Sequence, residues 1–248
     1  MGIKLSEIST RAPKDFDKEK TKALLPTITE KLDALQNLLF AEAKHAVLVI
    51  IQGLDASGKD GAINNVFTYV NPMGVQVKSF KAPTPEELAH DFLWRVHQHS
   101  PAKGMIQIFN RSHYEDILIT RVHEWIDDDT AKQRMDAINH YEKLLASHNN
   151  THILKFYLHV SQQEQQERLQ ERMSDPTKQW KYNANDFKEA EKWNDYMKAY
   201  EDCFENCNHI PWTIVPADQN WYKEFVIASA VVTTLEKLDM KFPGMKKE

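Results

Sequence analysis

Apolar residues fall into five short runs, at about 46–52, 75–80, 104–109, 152–160 and 212–216. The first (Ala46-Val-Leu-Val-Ile-Ile-Gln52) and the fourth are apolar at consecutive positions, as in strands buried on both faces of a parallel sheet. Helical spacing fills the intervals. Thr84-Pro85-Glu86-Glu87 reads as a capping box with proline at the first helical position, and predicts a helix carrying Leu88, Phe92, Leu93 and Val96. Ser112-His113-Tyr114-Glu115 and Ser161-Gln-Gln-Glu164 repeat the box directly after the third and fourth strands. Further helices are expected near 27–43, 185–208 and 219–238. Strand, cap and helix recur, so the chain is expected to be α/β with right-handed crossovers. The charged stretch Ser174–Asn183 breaks two helices and predicts the tip of a helical hairpin. The expected organisation is one domain over 1–248, with a lid-like excursion at about 161–195 and a frayed tail from Lys241 to Glu248.

The first strand runs into Gly53-Leu-Asp-Ala-Ser-Gly-Lys59-Asp60. This is Gly-x4-Gly-Lys between a strand and a helix, the context of a phosphate-binding loop. Its amides cradle phosphate oxygens, the helix N-terminus adds positive potential, and the lysine reaches distal phosphates. The usual next residue is Ser or Thr, a Mg²⁺ ligand; here it is Asp60, with a second carboxylate, Asp55, inside the loop. Acids beside phosphate call for a hard cation between them.

Composition changes this picture little. Of 248 residues, 42% are hydrophobic and 27% charged, which is ordinary for a globular chain. The net charge of −5 argues against a general nucleic-acid binder, but leaves room for a local basic channel. No apolar run is long enough to span a bilayer and no signal segment opens the chain, so neither a membrane nor export is expected. Cys203 and Cys207 lie four apart in a helical pattern and read as two buried thiols of a reducing cytoplasm.

In an open α/β sheet, ligands bind beyond the C-terminal strand ends. The loops there supply Asp55, Lys59, Asp60, Lys81, Asn110 and Arg111, the mixture that phosphoryl transfer with Mg²⁺ requires. Arg111 would clamp an acceptor phosphate. Asp116 reads equally as a Mg²⁺ ligand or proton acceptor and as an acid favoured by a helix start. Glu115 reads first as the closing member of its capping box. Arg168 and Arg172 precede Lys178 and Lys181 on the excursion; since Glu164 and Arg168 are an i, i+4 pair, spacing alone favours a solvated helix face. Trp180 is the tryptophan placed to stack on a base; the other five read mostly as core.

Taken in order, five motifs resemble the polyphosphate kinase type 2 family over about residues 25–238. They are Gly53-x-Asp55-x-x-Gly58-Lys59-Asp60-Gly61, then Lys81-Ala-Pro83 ahead of Asp91-Phe-Leu-Trp-Arg95, then Phe109-Asn-Arg-Ser-His-Tyr-Glu-Asp116. After these come Arg168-x3-Arg172-x3-Pro176-x-Lys178-x-Trp180-Lys181, and Val215-Pro-Ala-Asp218 with Trp221-Tyr222. The resemblance implies a P-loop kinase-like three-layer sandwich with a five-stranded parallel sheet and a helical lid. It implies phosphoryl transfer between inorganic polyphosphate and nucleotides with Mg²⁺, or Mn²⁺ in its place. By the same resemblance Asp55, Lys59, Arg111 and Asp116 are catalytic, and Asp55 and Asp116 hold the metal. Gly53, Ala56, Ser57, Gly58, Lys59 and Asp60 form the phosphate cradle, and Arg168, Arg172, Lys178 and Lys181 become a polyphosphate-binding lid. Lys81, Asn110, Arg111 and Glu115 face the nucleotide. The segment 110–116 looks most like the third class, which accepts nucleoside mono- and diphosphates, and a homo-oligomer (dimer or tetramer) is expected. Two competing expectations remain. An ATP-dependent nucleoside or small-molecule kinase would favour Ser or Thr at position 60. A non-catalytic P-loop sensor would not need Asp55, Asp116 and a basic lid together.

Overall fold

A computed structural model describes residues 2–245; Met1 and the last three residues of the expected frayed tail lie outside the described residues. The strands are β1 (Ala46–Gln52), β2 (Val75–Ser79), β3 (Ile106–Asn110), β4 (Thr151–His159) and β5 (Trp212–Pro216). They form one sheet in the order β2-β3-β1-β4-β5, with every neighbouring pair parallel. β1 is central and all seven of its residues are buried, the outcome its unbroken apolar run dictates. The outer strands β2 and β5 are partly exposed, which is why their sequences are mixed.

Because side chains alternate along a strand, β1 feeds two cores. Leu48 and Ile50 pack with Phe109, Tyr157, Tyr200 and Phe204 on one face, while Val47, Val49 and Ile51 pack with Ile108, Phe156, Ile227 and Val231 on the other. The first core is closed by α3 (Asp128–Asn149) and α6 (Trp193–Asn206). The second is closed by α1 (Lys18–Glu42), α2 (Lys59–Phe67) and α7 (Asn220–Glu236). The result is the three-layer sandwich. The register sets Ile51 opposite Asn110 on β3 and Phe156 on β4, so the loop after β1 emerges beside the loop after β3. Between β4 and α6 the chain leaves the sandwich as α4 (Gln162–Ser174), a tight turn at Gln179–Lys181, and α5 (Ala184–Glu191). That is the expected hairpin excursion.

Four local expectations fail. The first helix starts nine residues early, at Lys18, where Asp17 accepts the Lys20 N–H at 2.8 Å, and it carries Pro26 in its interior. The capping box at Thr84–Glu87 forms, but its helix stops at Leu88; the Asp91 carboxylate takes the Leu93 N–H at 2.9 Å and starts a separate turn, Trp94–His97. The helix expected at 185–208 is divided at Lys192 into α5 and α6. At Ser112 the hydroxyl accepts from Tyr114 rather than Glu115, so no box closes and the Glu115 carboxylate is left for other work. Cys203 and Cys207 are buried free thiols, as expected. Among the described residues no helix is long and apolar enough to cross a membrane.

Candidate active site

The phosphate loop leaves β1 at Gly53 (φ +153°) and passes through left-handed backbone at Ala56 (φ +61°) and Gly58 (φ +91°) before α2 begins. The Lys59 ammonium is buried and donates to the carbonyls of Gly53 and Leu54 at 2.7 and 2.9 Å. Burial, reinforced by the neighbouring Arg111 charge, lowers its pKa to about 8. Arg111 also has left-handed backbone, φ +61°, and donates its own N–H to Ile51 at 3.1 Å. Its guanidinium is ion-paired to Asp55 and lies 3.4 Å from Glu115 Oε2. Glu115 sits against that cation, yet burial holds its pKa above the ordinary carboxylate range. Gly53, Asp55, Arg111 and Glu115 share a small cavity of about 20 Å³ with Glu189, Tyr196 and Tyr200.

A larger cleft of about 860 Å³ opens in front of the loop. It is bounded by the phosphate loop and α2, by Lys81 and Asn110 at the ends of β2 and β3, and by the excursion with Trp180 and Tyr182. Eight Lys and Arg side chains and five Asp and Glu line it, a local excess of three positive charges in a chain of net −5. Asn110 donates to Asp60 Oδ1 at 2.7 Å, and Lys181 on the excursion faces Asp60 Oδ2 at 3.6 Å. Burial works against ionisation of Asp60, but Asn110 and Lys181 outweigh it and the carboxyl pKa falls. Arg172 pairs with Asp186 at 2.6 Å and Lys178 with Glu171 at 2.6 Å. Trp180 is 78% exposed beside Lys181, whose ammonium lies 4.9 Å from its ring centre.

The structure thus brings Asp55, Lys59, Asp60, Lys81, Asn110, Arg111, Arg172, Lys178 and Lys181 to one cleft. Gly53 and Glu115 line only the small cavity, Ser57 is buried and lines neither space, and two further residues are placed differently. Asp116 is turned to Arg95 at 3.3 Å and lines neither the cleft nor the small cavity; burial raises its pKa against the opposing Arg95 charge. Arg168 is at the cleft wall but its guanidinium is consumed. It donates to Glu164 at 2.8 Å, to Ala56 and Ser57 carbonyls at 3.2 and 3.1 Å, and to Ala217 and Asp218 carbonyls at 2.8 and 3.1 Å. The Glu164 pair that spacing foresaw is present; the grip on the loop backbone was not foreseen. Sequence reasoning also missed Lys223, which donates to the Ser57 and Gly58 carbonyls. Its signal was its place one and two helical turns before the apolar Ile227 and Val231, the buried face of α7. Arg95, which donates to the Lys81 carbonyl at 2.9 Å, was missed as a holder of the site.

No three His, Cys, Asp or Glu side chains among the described residues are grouped to hold a metal. Asp55 and Asp60 at the cleft supply the one or two carboxylates that Mg²⁺ takes when it arrives with phosphates and keeps most of its waters. The arrangement of amides, lysine, arginine and acids is one that neutralises a transferring phosphoryl group.

The chain matches the family described as Polyphosphate kinase 2 over residues 15–243. It is 45% identical over 232 residues to an AMP/ADP-polyphosphate phosphotransferase of Meiothermus ruber, covering 92% of this chain and 86% of that one. It is 42% identical over 240 residues to an ADP-polyphosphate phosphotransferase of Rhodopseudomonas palustris, covering 91% and 83%. The crystal structure of polyphosphate kinase 2 from Arthrobacter aurescens TC1 superposes with a TM-score of 0.95 at 38% identity, covering 100% of this chain and 90% of that one.

Proposed function

The chain belongs to the polyphosphate kinase 2 family, and we propose that its cleft moves phosphoryl groups from inorganic polyphosphate to AMP and ADP, giving ADP and ATP. The observation that carries this reading is the excess of cations over carboxylates along an 860 Å³ cleft that ends at the phosphate loop. A polyphosphate donor has no base to recognise, so a basic groove suffices for it. Donor and product are both phosphoanhydrides of similar energy, so the reaction runs in either direction.

Lys59 and Arg111 neutralise the transferred group, and Lys178 and Lys181 with Arg172 line the path of the polymer. Lys81, Asn110 and Glu115 stand on the acceptor side, with Arg111 shared. Asp55, at the cleft, would hold Mg²⁺, or Mn²⁺, which supplies charge neutralisation between phosphate oxygens; Asp116 would join it by exchanging its Arg95 partner for the metal. Asp60 supports the polymer-donor reading over an ATP-dependent small-molecule kinase, because it fills the place of the Mg²⁺-binding hydroxyl and is engaged by Asn110 and Lys181. A cytoplasmic location, where nucleotides are plentiful, belongs to the same reading. So does a homo-oligomer, supported by the open edge of β2 with Val77 exposed and Met73 exposed just before it. The test is incubation with Mg²⁺, AMP and polyphosphate without ATP. ADP and then ATP should accumulate; growth of product only after ATP is added would favour the other kinase.

A further inference from the structure

We infer that Lys223 is a positioning residue that, together with Arg168, holds the phosphate loop with its amides facing the cleft. The inference rests on the phosphoryl-transfer reading above. Lys223 lies in the first turn of α7 and is 1% exposed. Its ammonium donates to Asn220 Oδ1 at 2.9 Å and more loosely to the carbonyls of Gly58 at 3.3 Å and Ser57 at 3.4 Å. Arg168, from α4, donates to the carbonyls of Ala56 and Ser57. Two cations from separate elements therefore converge on three consecutive carbonyls of one loop.

A trans peptide unit is planar, so a carbonyl and the N–H that follows it point in opposite directions. Fixing the Ser57 and Gly58 carbonyls toward Lys223, which stands at the wall of the cleft, turns the N–H groups of Gly58 and Lys59 away from that ammonium. The fit is close. A Cβ on Gly58 would run into the Lys223 ammonium and come within 3.5 Å of Arg168 Nη1. Gly58 is thus required by its left-handed φ and by the cation packed against it.

Lys223 has no carboxylate ion pair within 4.0 Å among the described residues, and burial lowers its pKa to about 8, with Arg168 adding to the shift. A buried, unpaired ammonium is costly to a fold. Behind an anion-binding loop the same charge gains a purpose: it adds positive potential to the amides that meet phosphate.

The test uses Lys223→Met, which keeps the length of the side chain, and Asn220→Ala, which loosens the ammonium at an exposed position. Steady-state kinetics are combined with the rise in Tm produced by inorganic tripolyphosphate, a readout independent of turnover. Lys223→Met should lower kcat on the order of 10²-fold, the effect of a small misplacement at a reacting centre, with KM for AMP changed by less than about threefold. Asn220→Ala should lower kcat in the same direction by less, and the tripolyphosphate-induced rise should shrink in both. A folded Lys223→Met with kcat within about twofold of wild type, or with only KM for polyphosphate raised, overturns the positioning role. If Lys223→Met does not fold, Asn220→Ala decides: an unchanged kcat and Tm rise overturn the inference. A wild type stabilised by tripolyphosphate but unable to form ADP from polyphosphate would instead remove the parent reading.

Discussion

Lys181, at the tip of the excursion, reaches Asp60 in the first turn of α2, with Nζ 3.6 Å from Oδ2. The residue that breaks the phosphate-loop pattern is therefore the one that meets the excursion. If the cleft takes polyphosphate as proposed, the polymer would compete with Asp60 for the same ammonium.

Asp60→Asn should accordingly lower the apparent KM for polyphosphate. The pair is solvent-accessible, Asp60 mostly exposed and Lys181 partly, so the effect is bounded at about 1 kcal/mol, or roughly fivefold. Steady-state kinetics at low salt measure it. A raised KM would mean that the Asp60 carboxylate helps to bind the polymer, through metal or otherwise.

The cations of the excursion divide into two kinds. Arg168→Ala removes a half-buried guanidinium from four backbone carbonyls and should destabilise the chain by about 2–3 kcal/mol, the scale of bonds from a charged donor. The Lys178→Ala/Lys181→Ala pair should change stability by less than about 0.5 kcal/mol. It should raise KM for polyphosphate much more than KM for AMP, with a penalty that shrinks as salt rises. Urea unfolding and kinetics at two salt concentrations separate them. Equal stability losses in both variants would contradict the division.

Lys59→Met should abolish nearly all turnover, a loss of about 2.7–4 kcal/mol in transition-state stabilisation, while the fold persists. Its pH dependence has a definite sign. The folded-state pKa is about 8, below the ordinary lysine value of 10.5, so the charged form needed for transfer is lost as pH rises through 8. Between those two values the unfolded chain binds more protons at this lysine than the folded chain does. The lysine's contribution to stability therefore rises with pH across that window. Lys59→Met should be more stable than wild type at pH 7, with the advantage narrowing by pH 9.5. A constant difference between those pH values would show that the folded-state pKa is not lowered.

The sheet was legible because burial on both faces leaves an unbroken apolar run, and β1 is that run. The phosphate loop was legible because its glycines and lysine have fixed spacing. The helix predicted through Leu88 and Val96 was not, since Asp91 spends its carboxylate on a local turn that the apolar periodicity does not register. Glu115 was hidden for a related reason: Ser112 satisfied a different amide, freeing the acid for Arg111. Arg168 and Lys223 were hardest to see. The loop carbonyls they hold lie more than 100 residues away, and backbone carbonyls leave no mark in sequence.

The central claim is tested most directly by following labelled phosphoryl groups from ³²P-polyphosphate in the presence of Mg²⁺ and unlabelled AMP, with no ATP. The account predicts label in ADP first and then in both the β and γ positions of ATP, as the polymer shortens. Label that remains in polyphosphate, or is released only as inorganic phosphate while no labelled ADP or ATP forms, would contradict it.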